Sequence, residues 1–412
     1  MNLWLLVWKY LKARPLNTVL NIFLLSLGVA VIAILLLFSR QLEQKISENA
    51  KGIDLVAGAK GSPLQIILCN IFHIDFPTGN INLAEAERLS RHRLVKKAIP
   101  LALGDSYKNY RIVGTNRAYP ELYQVALAEG NWFEEDLDVV AGANVAMALK
   151  LKLGDTFASS HGLTDEGHAH DEAAYRITGI AKPTGTVADN LLFTNVASVW
   201  RVHASHENDG PPASSAVDNP SPLVPSVVAG DSTKEITSLL IQFRNPIAAI
   251  QLPRLINGQT NMQAASPAFE TARLFSILGV GVDALMGFAY VLIFISALSI
   301  FIALYNSLKE RQYDLAIMRS MGATRTKLFI SVILEGSTYT LLGSTWGLWL
   351  GHGAMWAFVA FVPEGQQAGI SASLFYVEEL WLLAGSLLLG WLCALIPARQ
   401  AYRTDIHKVL AG

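Results

Sequence analysis

The stretch that decides the fold is Ser307–Lys327, SLKERQYDLAIMRSMGATRTK, set between two strongly apolar segments. Its basic residues Lys309, Arg311, Arg319, Arg325 and Lys327 outnumber Glu310 and Asp314, and a short loop with that bias is expected on the cytoplasmic side of a membrane. Leu315, Ile317 and Met318 stand among the charges and are expected to form one apolar strip on a short helix lying along the membrane surface. Met321, Gly322 and Ala323 then end that helix before the next apolar run. On charge alone the stretch reads equally as a solvated connector whose basic side chains snorkel to the interface.

The composition around it agrees with a membrane chain. Of 412 residues, 52% are hydrophobic and 16% charged, with a mean hydropathy of +0.35. That is too apolar for a soluble protein and too polar for an all-helical transporter, so membrane spans plus a sizeable aqueous domain are implied. The formal charge of -1 excludes an overall nucleic-acid role. Cys69 falls in the central polar region and Cys393 in the last apolar segment, which leaves no intrachain disulfide and only an intermolecular bridge through Cys69 as an alternative.

Residues 1–16 mix Trp4, Trp8 and Tyr10 with Lys9, Lys12 and Arg14, a pattern for an amphipathic helix in the headgroup region. Residues 17–39 follow as a first span, uncleaved because no small-residue cleavage site follows it. From 40 to 273 the composition is that of a globular domain. Tyr110–Gly114, Asp138–Val140, Tyr175–Ile180, Leu191–Thr194 and Ser238–Phe243 read as strands, and Asn82 with Glu85 opens a helix with a capping-box-like start. Residues 204–232, dense in Pro, Ser, Asp and Asn, read as a flexible excursion. Residues 280–306, 328–362 and 380–397 are three further apolar segments, and 363–379 is a short outer loop. Arg399, Arg403 and Lys408 place the tail, 398–412, on the same side as 307–327. The expected fold is an α-helical membrane protein with four spans and a large extracytoplasmic α+β domain inserted between the first two. Gly343, Gly347 and Gly351 recur every four residues, a surface for close helix packing within the subunit or at a dimer seam.

Taken together, Glu310, Arg311, Asp314, Ala316, Ile317, Arg319, Gly322 and Ala323 form the pattern E-R-x-x-[DE]-x-A-I-x-R-x-x-G-A. This resembles the loop between the second and third spans of the FtsX-like, or MacB-like (type VII), ABC permeases. Gly130-Asn131-Trp132-Phe133, Val139–Ala148, Leu153-Gly154-Asp155 and Thr184-Gly185-Thr186 resemble phrases of the MacB-type periplasmic core domain. The resemblance implies a permease subunit of the bacterial inner membrane with both termini cytoplasmic. It implies a homodimer working with two cytoplasmic ABC ATPase subunits, and can include a periplasmic partner. Glu310, Arg311, Asp314, Ile317, Arg319, Gly322 and Ala323 would then couple the chain to the ATPase, whose motion passes through the spans to the outer domain. Cargo in that family spans peptides, lipoproteins, haem and antibiotics, and some members only activate partner hydrolases. A lipoprotein-releasing or haem- or peptide-exporting permease is the alternative within the class, and a membrane-anchored sensor or scaffold the alternative outside it.

No enzyme activity is expected of this chain. Gly58-Ala59-Lys60-Gly61-Ser62 lacks the order of a phosphate-binding Walker A loop, so ATP belongs on a separate subunit. Glu335 enters the third span and needs a partner or a protein-facing position. Asp283 and His352 stand nearer the outer ends of their segments. One stretch is chemically distinctive: His161, His168, His170, Asp171 and Glu172 lie close together, with His203 and His206 following. Imidazole and carboxylate in a Gly-containing loop suit Zn²⁺ or a similar ion, the alternative being a polar connector. His73 and Asp75 would share one face if they lay on a strand.

Overall fold

The computed structural model describes residues 3–161, 174–204, 234–362 and 370–403. The chain opens with α1 (Leu3–Ala13) and resumes after Arg14 as α2 (Pro15–Ala50), proline standing at the first helical position, where no N–H is needed. There follow β1 (Leu55–Ala59), α3 (Pro63–Asn70), β2 (Ile81–Asn82), α4 (Leu83–Ser90), β3 (Val95–Leu101), β4 (Asp105–Tyr107) and β5 (Tyr110–Thr115). Next come α5 (Ala118–Leu122), β6 (Leu127–Gly130), β7 (Asp138–Ala141), α6 (Ala143–Leu149), β8 (Thr156–Phe157) and β9 (Ser160–His161). β10 (Tyr175–Ala181), β11 (Leu191–Asn195), α7 (Val196–Ala204), β12 (Glu235–Ile236), β13 (Ser238–Phe243), α8 (Ala248–Gln259) and β14 (Met262–Ala265) complete the mixed region. The chain closes with α9 (Pro267–Glu310), α10 (Gln312–Ser320), α11 (Arg325–Phe361) and α12 (Val377–Arg403). Two compact units result: an α+β unit, Gln44–Ser276, and a helical unit made of Met1–Glu43 with Ile277–Gly412.

Period-two burial organises the α+β unit. Along β1, Val56 enters one apolar cluster while Leu55 and Ala57 enter another, and along β13 Leu240 separates from Leu239 and Ile241 in the same way. The antiparallel sheet β14-β1-β13-β3 therefore carries a core on each face. Its first core is shared with a larger sheet, β6-β10-β7-β11-β5-β4-β9, which contributes Val113, Val140 and Phe193. Ile112, Val139, Ile177 and Leu192 point to the opposite face of that larger sheet. The β5/β11 and β7/β10 pairs are parallel and the rest of the ladder antiparallel, as an α+β domain allows. Each large side chain buried this way contributes roughly 1.5–3 kcal/mol. The five strands expected from the sequence are β5, β7, β10, β11 and β13. Asn82 caps α4, its side chain accepting from Ala84 N–H at 2.9 Å.

The expectation of a strand through His73 and Asp75 is corrected. No strand covers these residues, and His73 has a φ of 57°, a left-handed turn conformation that a strand cannot contain.

In the helical unit, α2, α9 and α12 are each long and apolar enough to cross a membrane. α11, with 37 residues, is long enough but is not among them. Its buried face includes Leu328 and Val332 but is built largely from small and polar residues, Ser331, Gly336, Thr340, Gly343, Ser344, Gly347 and Gly351, which lower its hydropathy while letting neighbours approach. A Cβ on Gly343 would come within 2.8 Å of Leu25, on Gly347 within 2.7 Å of Val29, and on Gly351 within 2.9 Å of Ala33, all on α2. The glycine stripe is thus filled by α2 of the same subunit. Gly336 makes the corresponding close approach to α12, with Ala394 at 2.9 Å from its would-be Cβ.

Candidate functional site

The Ser307–Lys327 segment is shaped by two breaks. α9 runs through Lys309 and Glu310, the backbone bends at Arg311, and α10 begins at Gln312. α10 ends at Met321, where Gly322 takes a φ of 96°, a conformation that favours glycine. Ala323 N–H bonds back to the Met318 carbonyl at 3.0 Å, and Thr324 caps α11 by accepting from Lys327 N–H at 3.3 Å.

The single apolar strip expected of Leu315, Ile317 and Met318 is not what forms. Leu315 and Ala316 are buried, and Met318 packs on the same cluster, but Ile317 is 36% exposed. Positions two apart on a helix differ by roughly 200°, so Leu315 and Ile317 cannot share a face. Ile317 instead stands one turn from Tyr313, and with Met321, 81% exposed, these form a second, outward-facing apolar group. Asp314 is exposed on the same helix and Arg319 is half-buried.

Arg311 holds the inner side of this arrangement. Its Nη1 lies 3.4 Å from a Glu335 carboxylate oxygen on α11, and its guanidinium stacks 3.6 Å from the centre of the Tyr10 ring on α1. The two charged side chains are 14% and 7% exposed, so the pair is desolvated and each charge depends on the other. A small pocket of about 20 Å³ lies between them, lined by Tyr10, Ser307, Arg311, Ser331 and Glu335, with room for about one water molecule. Glu310 points the other way and pairs with Arg14, at the α1/α2 bend. The glutamate expected to need a partner thus has one, and that partner is Arg311. Tyr10 and Arg14 were not legible as site residues, since nothing local in their sequence marks them as partners of residues some three hundred positions away.

In the α+β unit the last turns of α2 are tied to the loop that carries Thr184-Gly185-Thr186. Lys45 Nζ donates to the Gly185 carbonyl at 2.6 Å, and Asn49 Oδ1 accepts from Val187 N–H at 2.9 Å. The Tyr123 hydroxyl donates to the Asn49 carbonyl at 3.0 Å. Buried Asp189 shapes this loop by accepting from Thr184 N–H, Thr184 Oγ1 and Gly185 N–H at 2.7–3.0 Å. Gly130 of the Gly-Asn-Trp-Phe phrase has a φ of 78° and runs against the backbone of β10, Phe133 is buried, and Trp132 is covered by Arg117 at 4.1 Å. Gly154 turns the chain with a φ of 88°, the Asp155 carboxylate accepting from Lys152 N–H at 2.7 Å. These phrases set turns and packing.

His73 is a core histidine. Its Nε2 lies 2.7 Å from the Tyr119 hydroxyl, and burial first, then the Arg111 charge, hold its pKa well below the ordinary histidine value. Arg111 donates to the Asp75 carbonyl at 2.9 Å and approaches Cys69 Sγ at 3.5 Å. Burial pushes the Cys69 thiol up to about 11. Of the expected metal ligands, His168, His170, Asp171, Glu172 and His206 lie outside the described residues. His161 ends β9 and His203 falls in α7. Among the described residues no group of three or more His, Cys, Asp or Glu side chains is placed to hold a metal.

Comparison with known families gives two matches. Residues 18–242 match the MacB-like periplasmic core domain, more than half of the chain, and residues 286–406 match the FtsX-like permease C-terminal region. The chain belongs to the MacB-like, FtsX-like ABC permease family. Among solved structures, the permease is similar to the periplasmic region of MacB from Actinobacillus actinomycetemcomitans, at 14% identity and a TM-score of 0.34, over 56% of this chain and 98% of that one. It is also similar to the extracellular domain of the noncanonic ABC-type transporter YknZ from Gram-positive bacteria, at 12% identity and a TM-score of 0.29, over 52% of this chain and 99% of that one. No curated protein matches the permease.

Proposed function

We propose that this permease is the membrane subunit of a transporter whose ATP is hydrolysed on a separate cytoplasmic ABC ATPase, with α10 as the element that receives the ATPase's motion. The observation that carries this reading is the two-sidedness of α10. Leu315 and Ala316 are buried and Arg311, at the start of the helix, is anchored inward to Glu335 and Tyr10, while Tyr313 and Ile317, with Met321 at its end, face outward beside the Asp314 carboxylate. A helix fixed by its inner face to α1 and α11 cannot be displaced without moving them, whereas a solvated connector would absorb the push.

In this reading α11 also crosses the membrane, as the third of four spans in chain order, its small polar face turned to α2 and α12, and the Ser307–Lys327 segment and both termini are cytoplasmic. The hydrocarbon core of a bilayer is about 30 Å thick, and a 44-residue helix such as α9 is roughly twice that long. α9 and α2 each contribute residues to both units and would carry displacement to the periplasmic core domain, two copies of the permease working as a homodimer. The segment containing His161, His168, His170, Asp171 and Glu172, with His203 and His206, would bind Zn²⁺ there, linking the system to a transition metal. Calorimetry on the full chain tests that part: saturable binding at micromolar Zn²⁺ should disappear on changing His161, His168 and His170 to alanine.

The coupling reading is tested by charge insertion on the outward face. Tyr313→Glu with Ile317→Glu should leave the permease folded and inserted but reduce co-purification of the ATPase and any stimulation of its turnover. Unchanged co-purification and turnover in that double variant would remove α10 from the coupling role.

A further inference from the structure

About 25 Å along α11 from Glu335, His352 closes a second polar cluster that the coupling reading does not use. Its Nδ1 lies 2.6 Å from the Ala372 carbonyl oxygen and its Nε2 lies 3.0 Å from a carboxylate oxygen of Glu379 on α12. The Glu379 side chain is 4% exposed and that of His352 14%. The other Glu379 oxygen accepts from Tyr376 N–H at 3.2 Å, and the Phe375 ring sits 4.4 Å from the imidazole. Gln41 of α2 donates to the Ser371 carbonyl at 2.8 Å and accepts from Ser371 N–H at 2.7 Å. Ile370 packs with Leu37 and Met355. Residues 370–376 are therefore fastened to α2, α11 and α12 at once.

A carbonyl oxygen can only accept, so Nδ1 must carry a hydrogen. The contact between Nε2 and the carboxylate then needs one proton more. An imidazolium facing a carboxylate provides it, and so does a neutral imidazole facing a carboxylic acid. Both arrangements hold one proton beyond a neutral imidazole with an ionised carboxylate. Without it, either the Nε2 lone pair faces the carboxylate or, in the other tautomer, the Nδ1 lone pair faces the Ala372 carbonyl, and one contact must open.

We infer that His352 and Glu379 form a proton-binding site that clasps the 370–376 segment to the ends of α2, α11 and α12, closed while the proton is held and loosened as pH rises. Among the described residues, the other charged groups around it are Arg40 and Glu43 on α2 and Glu378 on α12. Arg40 pairs with Glu378 at 2.7 Å and lies 3.8 Å from Glu43, so these charges largely compensate one another. The Tyr376 hydroxyl is buried without a partner among the described residues, and α11 has no other charged residue between Glu335 and Phe361.

Amide hydrogen exchange on the purified full-length permease, followed at Ser371 and Tyr376 from about pH 6 to about pH 9 and corrected for the intrinsic rate, tests this. In the wild type the opening equilibrium should rise with pH within that range, by at most about tenfold per pH unit, the slope for loss of one proton. Glu379→Gln is the discriminating variant. Its amide N–H can donate to Nε2 while its oxygen still serves Tyr376 N–H, so both imidazole contacts are satisfied without the extra proton, and protection should be independent of pH. His352→Gln should retain a fold but lose the slope, which separates the site from general destabilisation. A flat wild-type profile, or a Glu379→Gln profile with the wild-type slope, would overturn the inference.

Discussion

Removing Arg311 should be among the most damaging single changes in the helical unit, although the residue stands in a segment whose composition looks like surface. The Arg311→Met variant keeps an unbranched stem over Tyr10 but leaves the Glu335 carboxylate, 7% exposed, without its cation. An isolated buried charge of this kind costs about 3–5 kcal/mol when its partner is removed. The converse change, Glu335→Gln, strands Arg311 but leaves it 14% exposed and still stacked on Tyr10, so a smaller loss of about 2–3 kcal/mol is expected. The Arg311→Met, Glu335→Leu double variant removes both charges together and should recover most of the loss, because replacing a buried pair with apolar groups is often neutral. Equilibrium unfolding of the purified permease in mixed detergent micelles measures all three, and the double-mutant cycle isolates the coupling. A coupling below about 0.5 kcal/mol, or an Arg311→Met loss below about 1 kcal/mol, would mean the pair is hydrated and α10 is not anchored through it. The Arg14–Glu310 pair gives an internal contrast. With Glu310 59% exposed, Glu310→Gln should cost no more than about 1 kcal/mol.

Gly347→Val should destabilise the helical unit by about 1–3 kcal/mol, since its Cβ would come within 2.7 Å of both the Ser26 carbonyl and Val29; equal stability to wild type would show that α2 and α11 do not meet there. Gly353, whose Cβ would meet nothing within 4 Å, is the control position and should accept alanine without loss. Asp189→Ala should expose the backbone of residues 184–187 to exchange and lower stability by about 1–3 kcal/mol, because the N–H groups of Thr184 and Gly185 lose their charged acceptor. The Cys69 thiol, fully buried and raised to about 11, should resist a thiol reagent in the native permease and react only on unfolding. The sign of its pH effect follows from that rise: the unfolded chain loses the thiol proton first, so this group's contribution to stability is complete below about pH 9 and is lost as pH climbs toward 11.

How much of this could be read from the sequence depended on how local the determining physics is. β5, β7, β10, β11 and β13 were legible because alternation and β-branched residues act within five or six positions, and the α4 cap because Asn82 reaches only to Ala84. The stripe of Gly343, Gly347 and Gly351 was legible as a packing surface, while its occupant, Leu25 to Ala33 of α2, was not, since nothing in the spacing of the glycines names a neighbour. β1 is not legible locally because Gly58 and Ala59 carry no strand signal of their own; the strand is held by β13 and β14, which lie about two hundred residues later. The apolar strip of α10 failed for a more instructive reason. Leu315, Ile317 and Met318 are all apolar and close in sequence, but a helix sorts residues by angle, and Leu315 with Met318 turned inward while Ile317 joined Tyr313 outside. Arg311 shows the same limit in charge. Grouped with Arg319, Arg325 and Lys327 it looks like one more element of a basic surface, yet its position at the break between α9 and α10 aims it at Glu335. The arginine of the motif is thus bound within its own chain, to Glu335 and Tyr10, and under the proposed coupling the contact surface would pass to Tyr313, Ile317 and Met321. If that division holds, Tyr313→Glu with Ile317→Glu should lower ATPase co-purification without changing the unfolding midpoint, whereas Arg311→Met should lower the midpoint first. A reversed pattern, with Arg311→Met fully stable but uncoupled, would return the arginine to the contact surface.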